Sequence, residues 1–176
     1  MSETSREHKE RAPRRVRFAL LTISTSRYNQ KQQGEPFTDI SADTATDILT
    51  GAGHEVVAKD VISDDAEMIR ASLGRFISDS RVEAVVSMGG TGITSTDVTI
   101  ETVTPLLEKQ LEGFGEAFRR LSYDQIGTAA ILTRCTAGLA KGKAVFCLPG
   151  SPQAVELAVG ALIVPEAGHI LAHARQ

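Results

Sequence analysis

The chain has 176 residues, 41% of them hydrophobic and 23% charged, with a net charge of −3, which suits one domain with a sizeable core. Acids and bases are mixed along it and only 5% of residues are aromatic, so it lacks the basic, aromatic-studded stripe that grips nucleic acid, and nucleic acid is excluded as a first expectation. Its longest apolar run, Leu157 to Val164, ends at Pro165, short of the roughly 20 residues a membrane span requires.

Met1 to Arg15 is charged throughout and carries no apolar stretch, which predicts a disordered arm without a targeting segment, followed by a single domain over 16–176. Cys135 and Cys147 are too few and wrongly spaced for a zinc site or a disulfide framework; they read as small core residues in a reducing, cytoplasmic setting. Phe18 to Ile23 reads as a buried first strand, and the polar stretch after it as a long loop. Ser41 is a candidate N-cap for a helix that glycine chemistry stops at Gly51-Ala52-Gly53. Glu55 to Val61 alternates as a strand. Asp64-Asp65 can cap a helix with Ile69, Leu73, Phe76 and Ile77 at helical spacing, and Val82 to Met88 is a further buried strand. This alternation predicts a three-layer α/β/α fold with a mostly parallel sheet and ligands beyond the carboxyl ends of its strands. From Asp97 the pattern predicts a helix to about Lys109, a second from Gly113 to Leu121, a strand over Thr128 to Thr136, a turn over Gly138 to Gly142 and a strand from Ala144 to Leu148. Pro152 suits the first turn of a last helix, where its missing N–H costs nothing.

Two turns carry the chemistry. Gly89-Gly90-Thr91-Gly92 leads from a strand into a hydroxyl-rich helix entry, where glycines let main-chain N–H groups approach a phosphate and the helix end adds positive potential. Pro149-Gly150-Ser151 repeats this logic after another strand. Either turn alone is also explained by tight packing or by Ser151 acting as an N-cap; strands in one parallel sheet would open both turns at one edge, where they could grip one extended nucleotide-bearing ligand. Neither the dinucleotide fingerprint nor the P-loop fits the sequence. Asp97 and Asp39 are placed to reach the same edge and suit a nucleotide-bound Mg²⁺, although each serves equally well as a cap or turn former. Glu101, one helical turn beyond Asp97, reads as a solvated helix residue. His169 and His173 are spaced i, i+4 but lack an evident third ligand, so they read as surface histidines near a helix C-terminus.

Taken in order, Gly89-Gly90-Thr91-Gly92 with Asp97-Val98-Thr99 and Glu101, Glu112 to Arg119, Thr133-Arg134 with Ala137-Gly138, and Leu148 to Pro152 resemble the MoaB/MogA family of molybdenum-cofactor biosynthesis proteins. The resemblance covers nearly the whole chain from Val16, and is nearer to the MoaB branch. It implies a trimer, or a hexamer built from trimers, that binds molybdopterin and ATP. The implied reaction is Mg²⁺-dependent adenylylation of molybdopterin, with the product passing to a MoeA-type metal-inserting partner. A non-catalytic molybdopterin carrier or scaffold of the same fold is the alternative. By motif position the resemblance makes Gly89, Gly90, Thr91, Gly92, Pro149, Gly150 and Ser151 contacts for nucleotide and pterin phosphates. Asp97 and Asp39 take the catalytic and metal roles. Ser24 and Ser41, the latter in the family's Asp-x-Ser, join Glu116 and Arg134 as substrate-binding residues. The chain departs from many relatives at Ala42, where they have glycine, and at Ser95-Thr96, where they have Pro-Arg and so a further fixed charge.

Overall fold

Six strands, β1 (Arg17–Ile23), β2 (Glu55–Ile62), β3 (Ala84–Met88), β4 (Lys109–Gln110), β5 (Thr136–Ala140) and β6 (Lys143–Leu148), form one sheet in the order β2-β1-β3-β6-β5-β4. The computed structural model describes residues 13–175, so the expected arm, apart from its last three residues, lies outside the described residues. β2, β1, β3 and β6 run parallel, whereas β5 and β4 are antiparallel additions. Alternate residues of the buried strands serve opposite faces, as a period of two dictates. Phe18, Leu20, Val86, Phe146 and Leu148 pack with one set of helices, while Ala19, Leu21, Val85, Val145 and Cys147 pack with the other. On the first face lie α2 (Ile40–Gly51), α5 (Glu112–Ile126) and the C-terminal helices α6 (Pro152–Ala158) and α7 (Val164–Ala174); α3 (Ala66–Ser78) and the short α4 (Thr99–Val103) cover the second. These are the three expected layers.

A π-helical segment, Val159–Ile163, joins α6 to α7, giving a 23-residue helix with a mean hydropathy of 1.5 in its most apolar window. Its length and composition would suit a membrane, but Val155, Ala158, Val159, Ile163, Ala167 and Leu171 are fully buried against the sheet. The apolar stripe therefore belongs to a core helix.

Several expected boundaries move. The stretch read as a loop after β1 contains a helix, α1 (Thr25–Gln33), with Ser24 as N-cap, Gly34 in the left-handed region as C-cap and no buried residue. Helix α2 starts on Asp39, whose carboxylate accepts from the Ala42 amide, so Ser41 falls inside the first turn. The helix expected from Asp97 to Lys109 is only α4 followed by a 3-10 turn, Thr104–Leu106, since Pro105 lacks the N–H an α-helix needs and β4 then draws the chain into the sheet. Thr128 to Thr136 is mostly a 3-10 segment, Gly127–Leu132, and the strand begins only at Thr136. β5 takes the place beside β6 by a two-residue hairpin, Lys141-Gly142, with φ of 50° and 72°, the positive angles that match the twist of paired strands.

Candidate functional site

β3 and β6 are neighbours, with Met88 opposite Leu148, so the Gly89 and Pro149 turns leave the same sheet edge side by side. The two turns touch: a Cβ on Gly150 would lie 3.1 Å from Gly89 Cα. Gly89 has φ of +114°, and a Cβ there would stand 2.1 Å from Ile23 O, a position that only glycine can occupy. Its N–H donates to Leu148 O at 3.0 Å, and buried Thr99 fastens the turn from beneath, with Oγ1 donating to Gly89 O at 3.0 Å and N–H to Gly90 O at 2.9 Å. From the other side Ser41, 1% exposed, donates its hydroxyl to Gly150 O at 2.7 Å.

Above these turns opens a cleft of about 380 Å³ lined by Gly89 to Gly92, Asp97, Leu132, Thr133, Arg134 and Pro149 to Ser151. Among the described residues no hydrogen bond engages the amides of Gly90, Thr91, Gly150 or Ser151. Ser151 Oγ caps α6 by accepting from Ala154 N at 3.2 Å, so its capping and its place on the cleft wall coexist. Two walls of free amides meeting at a helix start form a natural anion site.

Charged groups stand around it. Asp97 Oδ2 accepts from Thr94 N at 2.9 Å, and the Thr94 hydroxyl bond is the main influence holding this carboxyl below the usual range. Arg134 Nη2 donates to both oxygens of Glu101, at 2.7 and 2.8 Å, while its buried Nε has no partner among the described residues. The Arg134 guanidinium thus brings a fixed positive charge to the cleft wall, the kind of group that suits phosphate oxygens. A second carboxylate, Asp64, borders the Gly90 turn on the side of Thr99 and Ile23, without lining the cleft itself. Asp64 Oδ2 accepts from Thr25 N and Thr25 Oγ1, both at 2.9 Å, and its Oδ1 would lie 2.9 Å from a Cβ on Gly90. It was read only as a helix cap, but Asp65 fills that role. The adjacency of Asp64 to the end of β2, at the same edge as the glycine turn, was the available signal.

Other sequence-predicted residues lie elsewhere. Asp39 lines a separate cavity of about 300 Å³ with Thr22, Phe37, Ala42, Lys59 and Asp60; within it Thr22 Oγ1 and Asp39 Oδ2 are buried and unpartnered among the described residues. The structure therefore does not bring Asp39 and Asp97 together on one wall. Ser24 caps α1, accepting from Arg27 N at 3.5 Å, and is not on the cleft wall. Glu116 is exposed on α5 and is likewise absent from that wall. Ser41 supports the Gly150 turn through its hydroxyl. The thiols are inert: burial pushes Cys135 up to about 11 and Cys147 to about 12.

The family described as a probable molybdopterin binding domain matches residues 19–169. The chain belongs to this family. It is 42% identical over 171 residues to molybdenum cofactor biosynthesis protein B of Bacillus subtilis, covering 97% of this chain and 96% of that one. It is 39% identical over 174 residues to the molybdopterin adenylyltransferase of Pyrococcus furiosus, covering 97% and 98%. Among solved structures, a molybdenum cofactor biosynthesis protein B superposes with a TM-score of 0.86 at 42% identity, over 94% of this chain and 100% of the other. The tungsten cofactor synthesizing protein MoaB of Pyrococcus furiosus gives 0.82 at 38% identity, again over 94% and 100%. The family's molybdopterin-binding match thus includes both glycine turns, Asp64, Asp97 and Arg134.

Proposed function

We propose that this protein transfers the adenylyl group of ATP to molybdopterin, in the biosynthesis of a molybdenum or tungsten cofactor. The observation that carries the reading is the single cleft in which two turns offer free amides to phosphate, in a chain that shares most of its length with molybdopterin adenylyltransferases.

In the reaction the terminal phosphate oxygen of molybdopterin bonds to the α-phosphorus of ATP. The bond from that phosphorus to the bridging oxygen breaks, and pyrophosphate leaves with the electron pair. Such a transfer needs alignment and charge stabilisation, with no protein nucleophile. The Gly90 and Thr91 amides on one wall and those of Gly150 and Ser151 on the other hold phosphate oxygens, and the Arg134 guanidinium adds positive charge beside them. Thr99 and Ser41 keep the two turns at their separation. Asp97, with one oxygen fixed by Thr94, offers a carboxylate beside the phosphates, and Mg²⁺ takes one or two carboxylates in company with phosphate oxygens and water. A Mg²⁺ ion held there would supply positive charge against the departing pyrophosphate.

Exposed Tyr123, Ile126, Ile131 and Leu132, the last on the cleft wall, support assembly of several copies of this chain as a trimer or hexamer. The function is tested by mixing the purified protein with molybdopterin and Mg-ATP and measuring pyrophosphate and adenylyl-molybdopterin. Formation of both, cut about 100-fold or more in Asp97→Asn, is expected. Molybdopterin binding with no adenylyl product would instead leave a carrier.

A further inference from the structure

At the C-terminal end of α7 three side chains interlock away from the cleft. His169 Nδ1 lies 2.9 Å from Glu166 Oε2, and His169 Nε2 lies 3.1 Å from His173 Nε2. The rings are 4.8 Å apart and inclined at 56°. The carboxylate can only accept, so His169 carries its proton on Nδ1 and, when neutral, turns the lone pair of Nε2 toward His173. Two imidazole nitrogens each about 2.1 Å from one ion stand about 3.0 Å apart at a right angle and about 3.4 Å apart at the tetrahedral angle. The observed 3.1 Å falls between those limits.

We propose that His169 and His173 bind one divalent transition-metal ion through their Nε2 atoms, with Glu166 fixing the tautomer and orientation of His169. Spacing i, i+4 puts both rings on one face of the helix, and imidazole selects borderline ions such as Zn²⁺ and Ni²⁺ over Mg²⁺. The carboxylate-histidine-metal arrangement is the usual outer support of such sites. His173 is exposed, so water completes the coordination; among the described residues no group of three or more metal-ligating side chains converges, which makes the site a two-nitrogen one of modest affinity. It is also remote from the phosphates. The end of α7 adjoins the starts of the strands, with Ala174 O 3.9 Å from the place of a Cβ on Gly142 and Arg175 paired with Glu83, which also pairs with Arg17. The glycine cleft is at the strands' other ends. The ion's effect is therefore to pin the last turns of α7, and it takes no part in adenylyl transfer.

The test is calorimetric titration of the untagged full chain with NiCl₂ and ZnCl₂, together with thermal melts. Wild type should take up one ion per chain and melt higher with metal. His173→Gln should bind at least about 10-fold more weakly and lose the shift, Glu166→Gln should weaken binding about 10-fold, and His54→Gln should behave as wild type. Pyrophosphate release should be unchanged in His173→Gln. Equal uptake by wild type and His173→Gln, or no uptake by wild type at millimolar metal, would overturn the site; neither result bears on the reaction in the cleft.

Discussion

Two cavities open beside the ends of the parallel strands, and they are built from different material. The glycine cleft is made by backbone: its amides, its close turn-to-turn approach and its positive φ angles are properties of the chain path. The Asp39 cavity is made by side chains, with two orphaned oxygens on Thr22 and Asp39 and the ion pair Lys31–Asp60 at 2.7 Å beside them. One hydrogen bond, Ser41 to Gly150 O, joins the two regions. A backbone site is tuned only by what holds its turns, whereas a side-chain cavity can be rewritten residue by residue. Substitutions should therefore act steeply and collectively in the first and mildly in the second.

The steepest expected effect is that of Gly89→Ala. With a Cβ forced to within 2.1 Å of Ile23 O at φ +114°, the turn must move, at a cost of several kcal/mol in stability. The melting temperature should fall by more than 10 °C and adenylyl-molybdopterin formation should be undetectable. A stable and active Gly89→Ala protein would show that the cleft is not held by its backbone. Next comes Asp97→Asn, which keeps the shape and removes the charge: kcat should drop about 100-fold or more, with the melting temperature little changed because the half-buried side chain keeps an oxygen for the Thr94 amide. Thr94 depresses the Asp97 carboxyl, so its contribution to stability is complete above the ordinary carboxylate value of about 3.9 and is lost as pH falls through the lower folded value. Activity should therefore persist on acidification to pH 5, a point a pH–rate profile checks. Ser41→Ala is smaller still. It leaves the part-buried Gly150 O without its donor, which should cost about 1–2 kcal/mol by chemical denaturation and raise KM several-fold, with kcat less affected.

Much of this cleft was legible in the residues. Glycine turns after apolar runs announce themselves because both the apolar run and the glycine have local causes, and Asp97 stands close enough in sequence to be read with its turn. What escaped was non-local. Asp64 reaches the glycine turn only because β2 and β3 end at one edge on either side of β1, and no sequence spacing records that. Helix α1 was missed because Thr25 to Gln33 has no apolar face; its Ser24 and Gly34 caps were the only signals. Thr128 to Thr136 was read as a strand, yet Ile131 is 84% and Leu132 58% exposed, so these two large apolar residues face outward. Asp39 was grouped with Asp97 because the topology put both at one sheet edge, and topology does not reveal that its carboxylate turns back to cap its own helix.

The least disruptive change separates the two cavities most cleanly. Asn is as good an N-cap as Asp, so Asp39→Asn keeps the bond from Ala42 N while exchanging the orphaned Oδ2 for an amide NH₂ beside the buried Thr22 hydroxyl. Removing a charge from a buried acceptor without losing the cap should shift stability by no more than about 0.5 kcal/mol, whereas Asp39→Ala should lose about 1 kcal/mol with the cap. If Asp39 acts through its helix, adenylyl transfer in Asp39→Asn should stay within about 3-fold of wild type, far from the Asp97→Asn loss. A kcat for Asp39→Asn as low as that for Asp97→Asn would mean that the second cavity presents its carboxylate to the reacting ligand, and that the two regions work as one site across the Ser41–Gly150 bond.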